Sequence, residues 1–278
     1  MTAAELIELA PLIAVMLAAG LAAGFAAGLF GIGGGFVVVP ALIAVYSFFD
    51  VEESVIAHVA IGTSLATIIV TSLRSVHAHA KRGAVDFDIL KTWAPWLVLG
   101  VSGGLLMASA VDGAMLTLIF GLGVLIMGVH FIRPFYKPKE TEPRDIPGGP
   151  FRASMASFLG GFSALLGIGG GTIAVLVMTA FGRPIHQAVA TAAGFGAIIA
   201  VPGAIGFAVI GMNIENLPPF SFGYINILGA IAISAMTFIT APLGAKAAHS
   251  LNAVMLKRVF GCYLMFTGGF MLYEAINV

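Results

Sequence analysis

Charged residues make up only 9 % of this 278-residue chain, against about 25 % in an ordinary soluble domain. The 13 basic and 13 acidic side chains cancel, so no basic footprint for nucleic acid exists. One cysteine, Cys262, excludes an intramolecular disulfide and, lying in an apolar run, reads as a small packing residue. The first residues, "MTAAELIELAPLIAVM", carry Glu5 and Glu8 but no basic cluster. They read as the start of a retained hydrophobic segment rather than a cleaved signal. Catalytic groupings are also missing. There is no Ser/His/Asp set, no phosphate loop and no pair of intramembrane carboxylates. The six histidines lack the companions of a metal site, and His77 and His79 point to different sides of a helix. The expectation is a protein that is not an enzyme, with no cofactor and no metal.

What fills the chain instead is apolar sequence: 59 % hydrophobic residues and a mean hydropathy of +1.05. Apolar segments fall at 6–30, 35–49, 55–76, 93–110, 114–133, 153–166, 171–181, 185–210, 223–247 and 253–275. Several reach the roughly 20 residues that a helix needs to cross a bilayer. The fold class is therefore an all-α polytopic membrane protein. One polar linker, "RPFYKPKETEPRDIPGGP" at 133–150, interrupts the apolar runs and divides the chain into near-equal parts. The expected units are an N-terminal repeat at 1–134, a cytoplasmic linker at 135–150 and a C-terminal repeat at 151–278.

The two parts read as copies. An offset of 136 residues places Gly24 on Gly160 and "GIGGG" 31–35 on 167–171. An offset of 130 puts Ala60 on Ala190, and one of 140 matches Gly104 to Gly244 and "FG" 120–121 to 260–261. Charge then gives the orientation. The connection after the third apolar segment holds Lys81, Arg82 and Lys91, whereas its counterpart at 211–219 holds Glu215 and no base. Conversely, Asp112 marks the last connection of the first copy, and Lys246, Lys257 and Arg258 mark its counterpart. Under the positive-inside rule this swap predicts inverted repeats. Inversion needs an odd number of crossings per copy. The predicted unit is a glycine-broken, re-entrant helical hairpin plus three transmembrane helices. The competing arrangement has the broken segments crossing fully, since 6–30 alone is long enough to span.

Three glycines inside an apolar run break a helix, and in lipid the freed backbone groups need partners. Each break starts a half-helix, near Gly34 and near Gly170, whose N-terminus offers free N–H groups and partial positive charge. That makes Gly33, Gly34, Gly35, Gly169, Gly170 and Gly171 candidate backbone donors to an anion. The competing use of such glycines is tight helix crossing. Thr63, Ser64, Gln187 and Thr191 lie at comparable places in the spans that follow, and Thr172 follows the second glycine run. They are candidate hydrogen-bonding side chains, with interhelical or i−4 bonding as the alternative. Arg74 is the sole arginine well inside an apolar run, a substrate contact or a side chain that snorkels to the cytoplasmic boundary.

The duplicated pattern in "GLFGIGGGFVVVP" (28–40) and "ALLGIGGGTIAVLVM" (164–178) resembles the TauE/SafE family of sulfite exporters. Further similarity covers "HVAIGTSLATII" (58–69), "GAVDFDIL" (83–90) and "APLGAKAAHSL" (241–251). The second copy departs in carrying Leu176 where the first has Pro40. The resemblance implies a multi-pass protein of the bacterial inner membrane that moves small sulfur oxyanions, such as sulfite or the sulfonate sulfoacetate. Expected partners are that anion and membrane lipid, with a homodimer allowed. The expected mechanism is export by alternating access. A proton-coupled importer of a small carboxylate or sulfonate, or an anion channel of the same fold, remains the alternative.

Overall fold

A computed structural model describes residues 3–30, 34–49, 51–133, 146–248 and 253–277. Among them are ten helices: α1 (Ala3–Phe30), α2 (Gly35–Phe48), α3 (Glu53–Ala80), α4 (Phe87–Ala110), α5 (Gly113–Ile132), α6 (Gly149–Leu165), α7 (Gly171–Ala180), α8 (Ile185–Ile210), α9 (Ile227–Ala248) and α10 (Ala253–Asn277). Seven of them are long and apolar enough to cross a membrane. The seven are not evenly divided. A stretch of α1, Ala10–Leu29, qualifies, while its counterpart α6 has 17 residues.

Local chemistry shifts several boundaries away from the apolar runs. Helix α4 starts at Phe87, ahead of the hydrophobic stretch, because Asp86 accepts the Ile89 N–H at 3.0 Å and caps it. Asp112 does the same for α5 through Met115 N at 2.8 Å. A two-stranded hairpin, β1 (Ser221–Phe222) and β2 (Ile225–Asn226), precedes α9; nothing in the hydropathy announces it. Gly223 makes its turn with φ of 53° and presses on the Ala208 carbonyl of α8.

The helices pair across the chain rather than along it. Helix α1 lies on α9, α4 on α6, α3 on α8, and α5 on α10. Close glycine contacts give the directions. Gly62 meets Phe207, Gly203 meets Leu65 and Gly196 meets Ser72, so α3 and α8 run antiparallel. Gly121 against Gly268 and Gly128 against Gly261 make α5 and α10 antiparallel as well. Gly20 beside Ile233 and Gly244 beside Phe25 set α1 parallel to α9, and Gly100 beside Ser157 with Gly104 beside Gly161 set α4 parallel to α6. Large side chains such as Leu106, Ile231 and Phe266 point outward at 72, 64 and 78 % exposure, a surface suited to lipid rather than water. Cys262 is on that outer surface, not packed inside as its apolar setting suggests.

The two ends of the bundle differ in charge. Gly113 packs on the carbonyls of Glu53 and Ser54, and Asn216 donates to Glu52 at 3.1 Å, so the start of α3, the α4–α5 turn and the loop after α8 share one end. That end carries Glu52, Glu53, Asp112 and Glu215. The opposite end carries Lys81, Arg82, Lys91, Arg133, Arg152, Arg183, Lys257 and Arg258, with Asp86 and Asp88 among them.

Candidate functional site

Each glycine run sends the chain back on itself. Gly34 has φ of 79° and lies against Ala23 and Ala27 of α1, so α2 folds back along the helix before it. Val37 N and Val38 N both donate to the Gly34 carbonyl, at 2.9 and 3.0 Å. The N–H groups of Gly35 and Phe36 have no acceptor within the helix. In the second run, Gly167 and Gly170 have φ of 58° and 65°. Ile168 N reaches back to Ser163 O at 3.0 Å and closes α6 in a Schellman turn. Ala174 N donates to Gly170 O at 3.0 Å, which leaves Gly171, Thr172 and Ile173 N–H without partners inside α7. Gly33 lies outside the described residues.

The two breaks touch. A Cβ on Gly35 would collide with the Gly167 carbonyl, and Gly167 also abuts Val39 and Ile61. Ser64, at the middle of α3, donates to that same Gly167 carbonyl at 2.8 Å. Gly169 rests on Gly196 of α8 and Ile68 of α3. Residues 34–40 and 163–171 are buried throughout. Contacts between residues more than a hundred positions apart thus bring both half-helix N-termini to one enclosed place between α3 and α8.

Two polar atoms without partners lie there. Ser163 Oγ and Thr172 Oγ1 are buried and make no hydrogen bond among the described residues, and Ser163 Oγ lies 3.0 Å from where a Cβ on Gly170 would sit. The Tyr46 hydroxyl, toward the other end of α2, is buried beside Thr63. An unsatisfied buried hydroxyl costs about 1–3 kcal/mol. Such groups are rare in folded proteins and call for an explanation. Ser163 and Thr172 flank the second break. Ser163 and Tyr46 had no signal in the sequence beyond being hydroxyls in apolar helices.

Other candidates from the sequence have structural work. Thr63 accepts the Asn226 N–H at 2.9 Å, and Thr191 accepts the Asp86 N–H at 3.0 Å. Asn226 caps α9 through Gly229 N at 2.7 Å, as Asp86 caps α4. The two threonines therefore latch the starts of α9 and α4 onto α3 and α8. Thr63→Val and Thr191→Val should each lower the melting temperature in detergent, at a cost of about 1–3 kcal/mol for the stranded N–H. Equal stability to the parent protein would remove the latch role. Gln187 is half-buried in the first turn of α8, at the basic end. Arg74 is exposed on α3, with its guanidinium carbon 3.4 Å from the Phe238 ring centroid of α9. It makes a cation–π contact away from the breaks. His58 stacks on Tyr224 with centroids 4.8 Å apart, and its Nε2 lies 3.0 Å from the Ala108 carbonyl. Among the described residues no group of three His, Cys, Asp or Glu could hold a metal.

Residues 16–271 match the family described as "Sulfite exporter TauE/SafE". A probable membrane transporter protein of Haemophilus influenzae is 34 % identical over 242 residues, covering 85 % of this chain and 89 % of that protein. Similar proteins described in the same words occur in Methanocaldococcus jannaschii, at 27 % identity over 88 % of this chain and 89 % of that protein, and in Bacillus subtilis, at 26 % over 89 % and 93 %. No solved structure matches. The match over nearly the whole chain and the seven apolar spans agree with each other, and the chain belongs to the TauE/SafE family: it is a multi-pass membrane transporter, not an enzyme.

Proposed function

We propose that this protein exports a small sulfur oxyanion, sulfite or a two-carbon sulfonate such as sulfoacetate, from the cytoplasm by alternating access around the meeting glycine breaks. The observation that carries the reading is the convergence of the α2 and α7 N-termini beside the unpaired Ser163 and Thr172 hydroxyls. Free N–H groups of Gly35 and Gly171, with those of Phe36, Thr172 and Ile173, would bind the oxygens of the anion. Glycine at 34, 35, 169, 170 and 171 lets the anion reach the backbone, and Ser64 fixes the second break in place. Gln187 and Arg74, nearer the basic end, would attract the anion before it reaches the breaks.

Inverted repeats at 1–134 and 151–278 fit this reading. The first helix of each half lies on the fourth helix of the other, while the third and fifth helices pair antiparallel with their counterparts. Both glycine hairpins return to the end from which they start, and the basic end corresponds to the cytoplasm. Burial on every side of the breaks favours a gated carrier over an open channel. An inside-negative potential drives anion exit, with about 2.3 kcal/mol available per charge per 100 mV.

Purified protein in liposomes provides the test. Sulfite or sulfoacetate efflux should saturate with concentration and accelerate when the interior is made negative. Reporters inserted after residues 50 and 182 should lie outside and inside the cell, respectively. Flux that stays linear in concentration, or none for either anion, would defeat the carrier reading. A reporter after 182 on the outside would defeat the re-entrant hairpins.

A further inference from the structure

A second polar place lies at the basic end of the bundle, outside the glycine breaks. Asp86, Asp88, Ile89, Thr92 and Trp93 of α4 and the residue before it, with Ile146, Arg152 and Arg183, line a cavity of about 380 Å³. The two arginines come from separate elements, the first turn of α6 and the turn between α7 and α8. Both Nε–H groups are buried and neither has an acceptor among the described residues. The cavity also holds two carboxylates: Asp86, just before α4, caps Ile89 through one oxygen, and Asp88 lies in the first turn of α4, where its backbone carbonyl accepts the Thr92 hydroxyl at 2.7 Å. A guanidinium donates through a planar fork suited to two oxygens of one anion. Among the described residues, two guanidinium forks, each with an unpaired Nε–H, therefore share one open cavity.

We infer that this cavity is an oxyanion-binding site, in which Arg152 and Arg183 hold a sulfonate, carboxylate or phosphate group from the cytoplasmic side. Its volume accommodates a small organic anion or the phosphate of one lipid headgroup. The site does not depend on the reading of the glycine breaks, but it lies close to them. Trp93, 2 % exposed, forms the inner wall and stacks on Phe195 at 5.5 Å between centroids. Phe195 is followed by Gly196, on which Gly169 rests. One aromatic layer therefore stands between the cavity and the second break.

The chain has two tryptophans, so Trp96→Phe leaves Trp93 as the only one and as a reporter inside the cavity. In neutral detergent, sulfoacetate or inorganic phosphate is added. In a second arm the same protein is placed in bilayer discs of phosphatidylcholine, with or without phosphatidylglycerol. A saturable change of Trp93 emission is expected in at least one arm. A response to the soluble anions identifies a free anion as the ligand, and a response to phosphatidylglycerol alone identifies a lipid phosphate. Arg152→Gln with Arg183→Gln should weaken the response at least about tenfold. Asp88→Asn should strengthen it a few-fold by removing a repelling charge, which a misfolded variant would not do. Ser163→Ala, at the glycine breaks, should leave the Trp93 response in place whatever its effect on transport, so the two sites fail separately. Silence of Trp93 in both arms, or a response unchanged in the double-arginine variant, overturns the inference.

Discussion

Gly35→Ala is expected to abolish transport and to lower the melting temperature sharply, the strongest effect of any single methyl group at the breaks. A Cβ there meets the backbone carbonyl of Gly167, which Ser64 holds from the other side. Neither partner is the free end of a flexible side chain, so one hairpin has to shift away from the other. Overpacking of this kind costs about 1–3 kcal/mol in well-packed interiors, and here it also separates the two half-helix termini. The neighbouring glycines should respond differently. At Gly34 the added methyl is strained by φ of 79° but meets the Ala23 carbonyl only at 3.3 Å. A left-handed alanine costs about 1–2 kcal/mol. At Gly170 the nearest atom is Ile199 Cδ1 at 2.7 Å, the movable tip of a side chain, followed by Ser163 Oγ at 3.0 Å. Efflux from liposomes, normalised to folded protein, should fall in the order Gly170 and Gly34 moderately and Gly35 most. Normal flux and normal melting in Gly35→Ala would show that the breaks need not touch.

The second large effect concerns two adjacent glycines on α4. Gly104→Ala drives a methyl group to 2.6 Å from the Gly161 carbonyl of α6, whereas nothing lies within 4 Å of a Cβ on Gly103. Small residues let membrane helices approach this closely, and the contact is lost when they grow. Gly104→Ala should therefore cost about 1–3 kcal/mol. Gly103→Ala should be neutral or stabilise by up to about 1 kcal/mol through helix propensity. Melting curves of the two variants in the same detergent give the comparison directly. Similar shifts for both would mean that α4 and α6 do not cross at Gly104.

Much of this arrangement was legible in the residues. Apolar runs gave the helices because nothing but a helix satisfies its backbone over twenty residues of lipid. The offsets that paired Gly24 with Gly160 and Gly104 with Gly244 also paired contacts. Gly24 faces Thr237 and Gly160 faces Leu97; Gly104 faces Gly161 and Gly244 faces Phe25. The glycine runs were readable as helix breaks. Their meeting was not, because Ser64 and Gly167 are 103 positions apart and no local signal reports such a distance. Rotation about the helix axis was equally hidden. Where nearly every face is apolar, no stripe marks the inward side. The same counting that set Thr63 and Thr191 at plausible depth therefore could not show that they accept backbone N–H groups. Nor could it show that Arg74 faces outward onto Phe238. Helix starts were misjudged wherever a polar first turn precedes the apolar run, as at Asp86.

The contact between Gly35 and the Gly167 carbonyl also bears on stoichiometry. The two glycine runs supply two half-helix N-termini, and two separate termini could each take a guest. In the proposed carrier, with Gly35 against the Gly167 carbonyl, both termini serve a single seat. A second anion held within a few ångströms in a low-dielectric interior would meet strong Coulomb repulsion. For an anion seated there, the doubled motif yields one ion per turnover, and each cycle moves that ion's charge alone.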